Sequence, residues 1–130
     1  MTEEQRLLVE KAHTAKGAAA LLLDNGFYDG AISRAYYGMF YLAKAALLSK
    51  GVETSSHHET NGSFGREFAK TSLLPRKLHA FLLEAQGERS DADYLLQSSF
   101  EREDAEAQIE NLSVFLSEVE AYLAEQPSDT

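Results

Sequence analysis

"SRAYYGMFYLAKA", residues 33–45, places an arginine, three tyrosines, a phenylalanine and a methionine within nine residues. An α-helix advances about 100° per residue. On that pitch Ile32, Ala35, Tyr36, Met39, Phe40, Ala43, Ala46 and Leu47 fall on one stripe, and a continuous apolar stripe is a core face. Arg34 lies off it, beside Tyr37, Tyr41 and Lys44. Arg34 and Tyr41 are seven positions apart, so they fall within about 20° of each other and two turns apart. The helix thus has a second, polar-aromatic face. Gly38, four residues after Arg34, is read as leaving that face open to a ligand or partner. The alternative is that Arg34 pairs with an acidic neighbour and the tyrosines line a seam between helices.

Helical signals continue in both directions. Thr2 with Gln5 forms a capping box, and Leu7, Leu8, Lys11, Ala15, Ala18, Ala19 and Leu22 follow a period near 3.6. Gly26 suits the end of that first helix. Asp29 is read as the cap of the second, which runs to Gly51. Ser56 with Glu59 caps a third, "HHETNGSFGREFAKTS". Gly62 and Gly65 weaken it by roughly 1 kcal/mol each relative to alanine, so they suggest close packing or an irregular backbone. Pro75 suits the first turn of a fourth helix using Leu78, Phe81, Leu82 and Ala85. That helix is expected to fade near Gly87, with "ERSDADYLLQSS" as a connection. Ser98 with Glu101 opens the last, striped by Ala105, Ile109, Leu112, Leu116, Val119 and Leu123. No window alternates with period two. The expectation is an all-α antiparallel bundle of four or five helices, a single domain over 1–126 with a polar tail at 127–130.

The chain lacks cysteine, which excludes disulfides and thiolate metal sites. No apolar run approaches the roughly 20 residues of a membrane span, and "MTEEQR" does not read as a signal peptide. A cytoplasmic protein fits best. The net charge of −9 opposes passive nucleic-acid binding. Its distribution matters more: residues 1–33 carry −2, residues 34–77 carry +4 and residues 78–130 carry −11. The basic middle, with Arg66 and Lys70, can attract a phosphate or simply flank an acidic helix.

His57 and His58 precede the third helix. They are either exposed loop residues or, for His57, a partner brought to Arg34 in space or across a dimer. His57, His58 and Glu59 do not share one helical face, so no metal site is expected. His13 and His79 sit in helical segments without a partner motif.

Three segments in order, "SRAYYGMFYLAKAALL", "FGREFAKTSLLP" and "ERSDADY", resemble the HEPN domain family, in its small stand-alone prokaryotic branch. The resemblance spans about residues 5 to 125. It implies a helical bundle that pairs as a homodimer. Many HEPN proteins are metal-independent ribonucleases, and several act as toxins beside a minimal nucleotidyltransferase antitoxin. Others are nucleotide-binding or accessory modules. The family motif is an arginine followed after four to six residues by a histidine. Arg34 matches the arginine, and the histidine position falls on Tyr41. RNA cleavage without metal uses a general base and acid near neutrality, which suits histidine. A tyrosine, near 10, is about three units away. Arg34 still offers a bidentate grip on phosphate.

Family members often carry a histidine near His57, and Arg89, Asp93 and Tyr94 match residues that recur in this branch. The resemblance offers Asp93 as a residue that orients a histidine or holds Arg34, and Tyr94 as a cover for a base. Tyr37 and Tyr41 are phenols of the kind that the antitoxin nucleotidylates in some relatives. Three functions follow. The favoured one is a module that binds nucleotide, RNA or partner through Arg34, Tyr37, Tyr41, Lys44, Asp93 and Tyr94. The second is a metal-independent ribonuclease toxin using Arg34 with His57 or Tyr41. The third is a purely structural dimer in which Arg34 is paired internally, for example to Asp93. No cofactor is expected.

Overall fold

A computed structural model describes residues 1–97 and 100–127. Five α-helices account for the fold: α1 Glu3–Asp24, α2 Tyr28–Leu48, α3 His57–Phe64, α4 Arg76–Tyr94 and α5 Arg102–Glu125, with a π-helical turn Gly65–Ala69 continuing α3. No strand occurs among the described residues. The all-α bundle expected from the periodicity is the fold observed. No helix is long and apolar enough to cross a membrane.

The local signals work as their chemistry requires. The Thr2 hydroxyl accepts the Gln5 N–H at 3.2 Å, and the Gln5 side chain accepts the Thr2 N–H at 2.8 Å. Gly26 follows α1 with φ +80°, a left-handed conformation that favours glycine. The Ser56 hydroxyl accepts the Glu59 N–H at 3.0 Å.

Three expectations need correction. Asp29 is not the cap of α2: the helix starts at Tyr28 with Phe27 flanking it, and Asp29 sits in the first turn, where a carboxylate still suits the helix dipole. Pro75, with ψ 134°, stands just before α4 rather than inside it. That helix does not fade at Gly87 but runs on to Tyr94. The Ser98–Glu101 box lies partly outside the described residues. Glu101 flanks α5, and its N–H donates to Asp104 Oδ2 at 2.8 Å. The tail beyond Pro127 also lies outside them.

The second helix is the axis of the bundle and packs against α1, α3, α4 and α5. Its predicted stripe is buried, with Phe40 half-buried, and so are Ala31, Gly38, Leu42 and Ala45. Burial therefore extends around most of the helix, which leaves a narrow strip for any site. Gly38 corrects a further expectation. It does not open the polar face: a Cβ there would lie 2.8 Å from both Leu112 methyl carbons, so the glycine lets α5 approach closely. Both readings of the third-helix glycines have substance. At Gly65 a Cβ would meet the His79 ring at 2.6 Å, and the backbone there adopts the π turn. The core continues through Phe64, Phe68, Leu78, Leu82, Phe115 and Leu123.

Candidate functional site

The strip that α2 leaves outside the core holds Arg34, Tyr37, Tyr41 and Lys44, each half-buried. Arg34 and Tyr41 line a groove of about 500 Å³ against α1, together with Leu7, Glu10, Lys11 and Thr14. Lys44 lines a neighbouring depression of about 400 Å³ that shares Leu7 and Lys11 with the first. The Lys11 ammonium lies 5.1 Å from the Tyr41 ring centre. The basic and aromatic groups of both helices thus meet along one face.

Arg34 has its guanidinium 4.7 Å from the Tyr37 ring centre. No carboxylate pairs with it among the described residues. Glu10 shares the groove but is held by Arg6. A half-exposed guanidinium on an aromatic face, with its charge uncompensated, is a ready anion anchor. Asp93 does not hold Arg34. It pairs with Arg89, one helix turn earlier on α4, with Nε 2.9 Å from Oδ2. The reason is local: residues four apart on a helix face each other. Tyr94 ends α4 with 74% of its surface exposed and covers nothing in the groove.

Arg89 belongs to the site through a contact that no spacing announces. Its Nη2 donates to the Tyr37 hydroxyl at 2.6 Å. Its guanidinium stands 5.2 Å from the Tyr37 ring centre and 5.8 Å from that of Tyr36. Tyr37 is therefore flanked by two guanidiniums, one from its own helix and one from α4.

His57, at the first turn of α3, comes to the same cluster but meets Tyr37 rather than Arg34. Its ring stacks on Phe40 at 4.2 Å and stands edge-on to Tyr37 at 5.7 Å. Its Nδ1 lies 2.7 Å from the Tyr36 hydroxyl. Burial, then the charges of Arg89 and Lys44, push the imidazole below its ordinary value of 6.5. The ring is neutral at pH 7. His58 is exposed, His13 pairs with Glu120 and His79 packs on Gly65.

Tyr36 is fully buried, as its place on the apolar stripe required. Sequence reasoning missed its hydroxyl. Asn61 Nδ2 donates to that hydroxyl at 3.3 Å and to Gln86 Oε1 at 2.8 Å. Burial raises the Tyr36 pKa above the usual phenol value, against the smaller lowering effects of Asn61 and Arg89. Asn61 and Gln86 stand in no motif. The one hint was a polar Asn on a helix weakened by glycines.

Chemically, the cluster offers two guanidiniums, two phenols, a lysine pair and a neutral imidazole. It suits recognition of a phosphate with an attached base: cations for the anion, rings for the stack.

Known proteins extend the comparison. Residues 5–122 match the HEPN domain. A protein of Methanocaldococcus jannaschii named "Putative toxin" is 37% identical over 92% of this chain and 82% of its own length. A UPF0332 protein of Gloeobacter violaceus is 34% identical over 96% of this chain and 100% of its own. A second M. jannaschii protein, also named "Putative toxin", is 31% identical over 95% of this chain and 91% of its own. With a domain match across nearly all of its helices, and relatives aligned over most of both lengths, this chain belongs to the HEPN domain family.

Proposed function

We propose that this protein is a binding module that holds a nucleotide or an RNA phosphate on the Arg34–Tyr37–Tyr41 face, within a toxin–antitoxin-like pair. One observation supports this above the rest: Arg34 has an uncompensated guanidinium stacked on Tyr37 at the edge of a groove. Lys11 and Lys44 add charge along the same face. The toxin names of two relatives support the setting. On this reading the chain works as a cytoplasmic homodimer beside a minimal nucleotidyltransferase, the arrangement that the family resemblance implies.

The test is thermal unfolding with AMP, ATP and short RNAs bearing 5′ or 3′ phosphates. A site ligand at 100 times its Kd adds about 2.7 kcal/mol to stability. The wild-type melting temperature is expected to rise with at least one ligand, and Arg34→Ala to abolish the rise. A flat wild-type response across the panel overturns the reading.

A second reading is favoured by one feature, the neutral His57 against Tyr37. It makes the protein a metal-independent ribonuclease using Arg34 with His57. RNA cleavage in EDTA, lost in both Arg34→Ala and His57→Ala, supports it. No cleavage of several RNAs by intact protein excludes it.

A further inference from the structure

The polar atoms behind His57 form a chain with a direction. Asn61 Nδ2 donates both to Gln86 Oε1 at 2.8 Å and to the Tyr36 oxygen at 3.3 Å. A phenol oxygen that accepts from Asn61 keeps its own proton to give. The nearby acceptor is His57 Nδ1, 2.7 Å away. A neutral imidazole whose Nδ1 accepts must carry its proton on Nε2. His57 Nε2 has no hydrogen-bond partner among the described residues, and the residue is half-buried.

The opposite polarity is less favourable. With Nδ1–H donating, the Tyr36 oxygen would accept from both His57 and Asn61, and its own buried proton would have no acceptor among the described residues unless both amides were turned over. Asn61 Oδ1 is buried and unpaired. Turning the amide would put an NH₂ in that place, and an orphaned buried donor is rarer than an under-satisfied carbonyl.

We infer that Gln86, Asn61 and Tyr36 are positioning residues that lock His57 as the Nε2–H tautomer. The free edge of the imidazole then presents a neutral hydrogen-bond donor, not a lone pair. This rests on the proposed phosphate-binding reading and adds to it. Near Arg89 and Lys44, whose charges reach the ring, a neutral N–H suits a phosphate oxygen. Abstraction of a 2′-hydroxyl proton at Nε2 would need the ring to change tautomer first. The lock therefore favours holding a phosphate over cutting at it.

The experiment is long-range ¹H–¹⁵N correlation of the imidazole nitrogens in the full, uniformly labelled chain at pH 7. Wild type is expected to show His57 protonated on Nε2. Tyr36→Phe removes only the hydroxyl and is expected to give a tautomer mixture and a higher imidazole pKa. Asn61→Asp places an acceptor on Tyr36, reverses the chain and moves the His57 proton to Nδ1. Amide shift dispersion shows whether each variant is folded. The wild-type spectrum alone decides the matter if neither variant folds. An Nδ1–H wild type overturns the inference, as does a folded Tyr36→Phe with the wild-type tautomer and pKa. Thermal shift with AMP on the same sample separates the two proposals. An Nε2–H wild type that ignores AMP and the rest of the panel sinks the binding reading alone. An Nδ1–H wild type that binds sinks this inference alone.

Discussion

Arg89 donates its Nη2 proton to the Tyr37 hydroxyl across 2.6 Å, joining two residues 52 positions apart in the chain. The contact ties the end of α4 to the motif helix and places a second guanidinium on the ring that Arg34 already covers. Arg89→Met is expected to cost about 1–3 kcal/mol, since it removes a charge-assisted bond and strands a half-buried phenol. The His57 pKa should rise as well, because Arg89 is one of the charges that depress it. Lysine in its place should keep the His57 pKa low, because the charge remains, but should not restore the stability, because one ammonium cannot serve both Tyr37 and Asp93 as a planar fork does. Urea unfolding and an NMR titration of His57 check both.

Acid should expose the same imidazole. His57 faces Arg89 of α4 and Lys44, Tyr36 and Tyr37 of α2, and its folded pKa lies below 6.5. The unfolded chain therefore takes up the proton first as pH falls. The stability that neutral His57 contributes is complete above 6.5 and is lost as the pH drops through that value toward the folded pKa. Glu88 works in the opposite direction, since burial raises its pKa and its protonation favours the folded state. The difference between wild type and His57→Gln isolates the histidine. The loss of melting temperature from pH 7.5 to 5.5 should be smaller in the variant.

Two glycines on the α3–α4 side should respond oppositely to alanine. Nothing lies within 4 Å of a Cβ at Gly87, inside α4. Gly87→Ala is expected to stabilise by about 0.5–1 kcal/mol. At Gly65 the added carbon would meet the His79 ring at 2.6 Å. Gly65→Ala is expected to destabilise by about 1–3 kcal/mol. Urea midpoints should move apart, and a gain at Gly65 would refute the packing described.

Gly38 and Leu112 should be energetically coupled. Gly38→Ala pushes a methyl against two buried Leu112 carbons, and Leu112→Ala alone costs about 2–5 kcal/mol. The double variant should lose less than the two single losses together, because the cavity left by one accommodates the methyl of the other. Strict additivity in a double-mutant cycle would contradict the contact.

Much of the fold was legible because its signals are local. The Thr2–Gln5 box needs residues three apart, and the α2 and α5 stripes need only a helical period. The end of α4 was hidden for the converse reason. Gly87 lowers helix propensity, but Leu78, Leu82 and Ala85 are buried in the core, Glu88 accepts from Gln108 at 3.0 Å and Arg89 reaches Tyr37. Tertiary contacts outweigh a cost of about 1 kcal/mol. Gly38 was misread because Leu112 lies on another helix. In the candidate site, spacing placed Arg34, Tyr37, Tyr41 and Lys44 on one face. It could not place Asp93 on Arg89, nor Tyr36 between Asn61 and His57, since those pairings depend on how α3 and α4 cross α2.

The π turn at Gly65–Ala69 carries one residue more than an α ladder needs, and Lys70 N–H reaches back to Gly65 O at 2.9 Å. The surplus makes this stretch a buffer for changes in chain length. Losing a residue there lets the coil tighten to ordinary pitch and leaves Phe64 upstream undisturbed. Losing one between Arg34 and Tyr41 would swing the guanidinium about 100° away from the phenol. Insertions and deletions should therefore accumulate around the turn in descendants of this chain and be absent from α2.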